Sequence, residues 1–220
     1  MALSSLTTRS AAPGREHRTS LIYRSPLAYR LTMAVLYGPY YRARSRAVAE
    51  LVPPGSSVLE LCCGPGTLYL DHLRPKAVRY RGLDLNPVFV DALRRRGVAA
   101  EVRDVGAPDP LPPADVVLMQ ASLYHFLPAV SGVVDRMRAA ARDRVIVSEP
   151  GRNLASGRGP LARIAARSAS PGDRDHPDRF TEASLDALMA GYGDAVLERR
   201  TIPGGRDRIH VIRGLAREDL

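Results

Sequence analysis

The 220-residue chain reads as a doubly wound, Rossmann-like α/β domain: a seven-stranded sheet, mostly parallel, with an antiparallel C-terminal strand and a helical N-terminal cap. Three observations predict it. Short apolar runs alternate with segments of helical period, which is the pattern of successive βα units. The first run, Val58-Leu59-Glu60-Leu61, ends on Cys62-Cys63-Gly64-Pro65-Gly66-Thr67, and a helix-forming stretch, Leu68 to Leu73, follows. The last two runs, Ala195 to Ile202 and Arg208 to Arg213, flank Pro203-Gly204-Gly205 and so form an antiparallel pair.

Composition bounds the rest. The length suits one domain, or one domain with an arm. Residues 1–20, rich in Ser, Thr, Ala and Arg without apolar period, read as a mobile basic arm; 21–52 form the helical cap and 53–220 the α/β domain. No apolar run approaches the roughly 18 residues of a membrane span, and the first twenty residues lack a secretory core, so a cytoplasmic protein without a transmembrane segment is expected. The two cysteines are neighbours, too close to staple distant segments and too few for a zinc site. They read as small buried residues around the turn, with a catalytic thiol the minor alternative. The formal charge of +9 is nearly all arginine, spread along the chain, and Lys76 is the only lysine. Basicity permits a nucleic-acid partner. The absence of tryptophan and the scarcity of other aromatics leave no evident platform for stacking bases, so nucleic acid is disfavoured without being excluded.

Ahead of the first strand, Leu27, Leu31, Ala34, Val35, Tyr41 and Val48 mark the expected buried side of two helices broken near Gly38-Pro39. Tyr23, Tyr29, Tyr37, Tyr40 and Tyr41 are either a packing face or cleft residues. In the turn, Gly64 and Gly66 let backbone approach a ligand, and the next helix directs its free N–H groups there. The dinucleotide fingerprint G-x-G-x-x-G does not fit, because no glycine follows Gly66 at the required spacing, and this argues against a dehydrogenase. Glu60 would repel a pyrophosphate; an acid there suits a ligand with a cationic end. Asp84, at the tip of the second strand (Val78 to Asp84), can accept hydrogen bonds from ribose hydroxyls. Asn86 is the better N-cap for the helix from Pro87 to Arg96, which leaves Asp84 for a ligand.

Val98 to Val102 is the third strand, with Asp104 and Val105 just past it. Ala114 to Met119 is the fourth, a strand buried on both faces, and Gln120, Tyr124 and His125 follow in the loop where an open sheet places reactive groups. His125 titrates near neutrality and could take a proton, or it could hold the loop by hydrogen bonds. A helix is expected over 128–141, with Val130, Val133, Val134 and Met137 on one face. Arg144 to Ser148 is the fifth strand; it ends at Glu149, a second candidate for binding or proton transfer, with Arg152 as its pairing partner. Within 155–178 only Leu161 to Ala169 reads as helical. Asp173, Asp175 and His176 are set aside as a metal cluster, since Pro171 and Pro177 flank them and no further ligands stand at useful spacing. Thr181 is the expected N-cap of a helix that buries Leu185, Leu188 and Met189.

Glu60-Leu61-Cys62-Cys63-Gly64-Pro65-Gly66 resembles the acidic-x-G-x-G-x-G loop of class I S-adenosylmethionine-dependent methyltransferases. With Asp84, Asp104 and the terminal hairpin in order, the resemblance covers about residues 40–213. It implies S-adenosyl-L-methionine as cofactor. Glu60, Cys62, Gly64, Gly66 and the backbone at Gln120 would then meet its methionine end, Asp84 its ribose, Leu85 the adenine face, Asp104 the adenine amino group and Val105 the ring. Cys62 departs from the pattern, standing where the first glycine of the family sits. The reaction implied is an in-line methyl transfer to a small-molecule acceptor, which the tyrosine-bearing cap suits if it is hydrophobic or lipid-like. His125, Tyr124 or Glu149 would act on a proton if the acceptor must lose one. RNA methylation and a non-catalytic cofactor-binding partner protein are the alternatives.

Overall fold

The computed structural model describes residues 24–151, 179–202 and 207–215. Helix α1 (Pro26–Tyr37) begins at Ser25, whose hydroxyl accepts from the Ala28 amide, with Pro26 in the first turn. Helix α2 (Pro39–Glu50) follows after Gly38. Seven strands then form one sheet: β1 (Ser57–Leu61), β2 (Arg79–Asp84), β3 (Ala100–Val102), β4 (Ala114–Gln120), β5 (Ala141–Pro150), β6 (Val196–Thr201) and β7 (Asp207–Arg213). Their order is β3-β2-β1-β4-β5-β7-β6. Strands β1 to β5 pair in parallel, and β7 runs antiparallel to both β5 and β6, as the terminal hairpin required.

Helices α3 (Pro87–Arg94), α4 (Val130–Ala140) and α5 (Glu182–Ala190) connect the strands. Two local expectations match the observed caps. Asn86 accepts from the Val88 amide at 3.0 Å. Thr181 and Ser184 form a reciprocal capping box at α5. Alternation along the strands gives two cores. Leu59, Leu61, Val117, Met119, Val145 and Val147 pack under α4 and α5. Val58, Tyr80, Val116, Leu118 and Ile146 pack on the other face with Val48 of α2 and Leu93 of α3.

Two expectations give way. The stretch after the glycine turn forms a π-helical turn, Tyr69–Leu73, and then a 3-10 turn, Arg74–Lys76, rather than a regular α-helix. Pro75 has no N–H and cannot continue an α ladder. In α1, Leu27, Leu31 and Val35 are 66%, 58% and 70% exposed, so the apolar row read as buried faces outward. The contacts of α1 come instead from Tyr29, edge-on to Phe89 of α3, and from Arg30, paired with Asp71 at 3.0 Å. Val48, in α2, is fully buried as expected. The expected helix Leu161 to Ala169, the group Asp173, Asp175 and His176, and residue Arg152 lie outside the described residues. Among the described residues no helix is long and apolar enough to cross a membrane.

The single lysine closes the entry to β1. Lys76 Nζ donates to the carbonyls of Ala49, which also accepts from the Val52 amide, and of Val52, at 2.6 and 2.5 Å, at the C-terminal end of α2. Lys76→Met keeps the stem but removes the ammonium from both carbonyls, leaving Ala49 its bond from the Val52 amide. It should lower unfolding stability by about 1–3 kcal/mol, read as a lower urea midpoint with unchanged slope; an unchanged midpoint would mean water replaces the ammonium at no cost.

Candidate functional site at the carboxyl edge of the sheet

Because β1 to β5 are parallel, their carboxyl ends share one edge, and the loops leaving them converge there. The turn after β1 winds through left-handed backbone, with φ of +53° at Cys62, +54° at Gly64 and +71° at Gly66. At Gly66 glycine is required twice over: the φ is one L side chains resist, and a Cβ would stand 2.4 Å from Leu93 Cδ2. Cys62 takes the conformation that the missing glycine would take freely, at a cost of about 1–2 kcal/mol. Its half-buried side chain packs against the α4 core, which offsets part of that cost. Neither cysteine is poised as a nucleophile: burial, with the neighbouring carboxylates adding, pushes both thiols well above their ordinary range.

Asp84 ties the turn to the tip of β2. Its Oδ2 accepts from the Gly64 amide at 2.7 Å and its Oδ1 from the Asn86 amide at 2.8 Å. Each oxygen keeps a lone pair for another donor. Burial raises the Asp84 pKa, and the two amides pull it back. Leu85, next along, is 67% exposed and available to a planar ring.

Glu60 is buried beneath the turn rather than projecting from it. Tyr80 Oη donates to its Oε2 at 2.7 Å and Gln120 Nε2 to its Oε1 at 3.3 Å. Burial pushes its pKa up to about 7; the bonds from Tyr80 and Gln120 oppose the shift and the charge of Asp84 adds to it. Gln120 Oε1 and Thr67 Oγ1 are buried polar atoms without a hydrogen-bond partner among the described residues. Such buried atoms are open to a water or to a polar group of a ligand.

Past β3, Asp104 Oδ1 accepts from the Gly106 amide at 2.7 Å. Arg136 of α4 fastens this loop through the carbonyls of Val105, at 2.7 Å, and Ala107. The Val105 side chain is buried in the α4 core, so only its backbone borders the loop.

Past β4, Ala121 is again left-handed, at φ +48°, and the amides of Ser122 and Leu123 both donate to Glu149 Oε1, at 2.6 and 2.5 Å. Glu149 therefore anchors the backbone of this loop, and its other oxygen, Oε2, is buried without a hydrogen-bond partner among the described residues. Burial pushes it up to about 7, against the two amides and the charge of Arg44 and with that of Asp207. Tyr124 is buried and His125 exposed; their rings stand 3.9 Å apart, and the Arg179 guanidinium lies 3.7 Å over Tyr124.

Sequence reasoning missed Tyr80, Thr67, Arg136 and Arg44. Tyr80 meets Glu60 only through the register of β1 with β2, and Arg136 and Arg44 are ordinary polar positions of helices, so none of these three carried a local signal.

Glu60 and Glu149 set a pH signature. Between about pH 4.5 and about pH 7 the folded protein keeps protons on both that the unfolded chain has lost. Stability therefore falls as pH rises through that window and levels off above it. Each group accounts for on the order of 3 kcal/mol. Glu149→Gln should remove roughly half of the decline in denaturant unfolding across that range; an undiminished decline would place the shifted proton on another group.

Comparisons with known proteins agree with this architecture. A family model described as "Methyltransferase domain" matches residues 35–199. The trans-aconitate 2-methyltransferase of Mycobacterium sp. (strain KMS) is 34% identical over 149 residues, 63% of this chain and 58% of that protein. That of Mycobacterium tuberculosis (strain ATCC 25177 / H37Ra) is 37% identical over 100 residues, 44% of this chain and 36% of its own. The match thus spans little more than half the length of the first relative and about a third of the second. Among solved structures, the magnesium protoporphyrin IX methyltransferase of Synechocystis PCC 6803 with bound SAH superimposes with a TM-score of 0.59 at 16% identity, covering 88% of this chain and 96% of that one. An O-methyltransferase family protein from Burkholderia thailandensis gives 0.62 at 18%, covering 87% and 60%. These two likenesses speak for the fold. With the family model matched from the cap through β6, the chain belongs to the methyltransferase-domain family.

Proposed function

We propose that the protein is an S-adenosylmethionine-dependent methyltransferase acting on a small-molecule acceptor. The observation that carries the reading is the Asp84 carboxylate, held by backbone amides against a left-handed glycine turn, with the buried Glu60–Gln120 pair beside it. The donor set suits this cofactor. Glu60 and the unpartnered Gln120 Oε1 offer acceptors to an ammonium group, and Asp84 offers acceptors to paired hydroxyls. A Cβ on Gly64 would meet nothing within 4 Å, so the turn is open on that side. Leu85 and the Asp104 loop would hold the purine, with Asp104 accepting from its amino group and Val105 contributing backbone only.

When bound, S-adenosylmethionine supplies a methyl group on a positively charged sulfur that departs as a neutral thioether. The chain's own tasks are then to orient the acceptor in line and to keep water out. His125 is exposed on the turn after β4 and could accept a proton from an acceptor hydroxyl or amine, whereas a carboxylate acceptor needs no base. Glu149, engaged with two amides, supports that turn as a positioning residue, and Tyr124 supports the imidazole through ring contact. The curated relatives are named for trans-aconitate, which supports a small acceptor and makes small polycarboxylic acids the first to try. The outward-facing row of α1 weakens the case for a lipid-like one.

Calorimetric titration with S-adenosylhomocysteine should show binding where NADH shows none. Asp84→Ala, which leaves the Gly64 amide without its acceptor, should weaken it by about 10–100-fold. Absence of binding by the natural protein would sink the cofactor reading. With an acceptor that must lose a proton, His125→Ala should cut turnover by about 10²–10⁴ while S-adenosylhomocysteine affinity holds; undiminished turnover would leave His125 a loop residue only.

A further inference from the structure

Tyr80 reaches the site from below. Register pairs Val58 with Tyr80 and Glu60 with Gly82, so all four face the same side of the sheet. Gly82 leaves the passage open: a Cβ there would stand 2.9 Å from Tyr80 Oη and 2.7 Å from Cys63 Sγ. Through that passage the Tyr80 hydroxyl extends along the strand to Glu60 Oε2. Its ring stacks on Tyr69, with centroids 4.2 Å apart and planes 21° from parallel. Tyr69 begins the π-helical turn just after Thr67, so the stack links Glu60 to the segment that leaves the glycine turn. A phenylalanine would fill the ring's space as well. The hydroxyl is what singles the residue out, because a buried carboxylate needs donors to stay ionised.

We propose that Tyr80 is a positioning residue for the amino-acid end of the cofactor: its hydroxyl holds Glu60 in place and in the ionised form that attracts an ammonium group. The inference rests on the S-adenosylmethionine reading. The titratable groups around Glu60 are Tyr80 and Asp84 from β2 and Cys62 and Cys63 from the turn; Gln120 faces it from β4 without charge. Loss of the Tyr80 hydroxyl removes a bond that favours the charged carboxylate. Glu60 then holds its proton to higher pH, and a cationic ligand is bound less well near neutrality than in alkali.

The test compares two ligands across pH. S-adenosylhomocysteine carries the ammonium; 5′-methylthioadenosine has the adenosine part and lacks it. In Tyr80→Phe, S-adenosylhomocysteine affinity should fall about 10-fold near pH 7 and recover toward about pH 9, while 5′-methylthioadenosine affinity is unchanged at both. Glu60→Gln should lose affinity for S-adenosylhomocysteine at both pH values and likewise spare 5′-methylthioadenosine. Equal weakening of both ligands in Tyr80→Phe, or no weakening at all, would overturn the proposal and leave Tyr80 a packing residue. If the natural protein bound 5′-methylthioadenosine and not S-adenosylhomocysteine, or bound neither, the cofactor reading itself would fall, and the role of Tyr80 with it.

Discussion

Two backbone amides, from Gly64 and Asn86, converge on the Asp84 carboxylate, and much of the site depends on that convergence. The first belongs to the turn leaving β1 and the second to the start of α3, so one side chain sets the spacing of two loops. Bonds to a carboxylate are stronger than those between neutral groups and shorter than most, which fixes distance as well as direction. The left-handed residues of the turn can then be tolerated, Cys62 included, because the turn is tied at its middle. The close approach of Gly66 to Leu93 seats the same turn on α3 from the other side.

A second carboxylate does the equivalent work three strands along the sheet. Glu149, at the end of β5, gathers the amides of Ser122 and Leu123 and so shapes the loop that carries Tyr124 and His125. The sheet thus presents acids at its carboxyl edge that serve backbone first. Each is taken out of water to do so, and for Glu60 and Glu149 burial outweighs the hydrogen bonds and lifts the pKa toward neutrality. Loop geometry is gained at the expense of stability near pH 7. That trade belongs in a part of the molecule where the shape of two loops matters more than margin.

The helical cap is less tightly integrated. Helix α2 is part of the core through Val48 and Ala49 and is closed by the only lysine. Helix α1 meets α3 through the Tyr29–Phe89 ring contact and the π-helical turn through the exposed Arg30–Asp71 pair, and keeps an apolar row outward. An exposed pair of this kind contributes little, up to about 1 kcal/mol. The family match, which begins at residue 35, and the similarity to solved methyltransferases at low identity both reflect the sheet and its flanking helices.

The sequence by itself determined what depends on neighbours in the chain. The strand and glycine turn at 58–66, the caps at Asn86 and Thr181, the buried face of α4 and the antiparallel end of the sheet follow from period, turn residues and capping chemistry, all of which act over a few residues. Glu60, Asp84, Asp104 and Gln120 were legible as strand-tip groups for the same reason. Their partners were not. Tyr80 lies 20 residues from Glu60 and Gln120 lies 60 away, and only strand register brings the three together. The outward side of Leu27, Leu31 and Val35 was likewise a tertiary decision, since an apolar stripe shows that a helix has a face and not what covers it. Glu149 could be placed at a strand end from its position; that it spends one oxygen on two amides was settled by the path of a loop 26 and 27 residues earlier. Short-range patterns carry information about local backbone, whereas the protonation and direction of a buried acid depend on what distant segments pack around it.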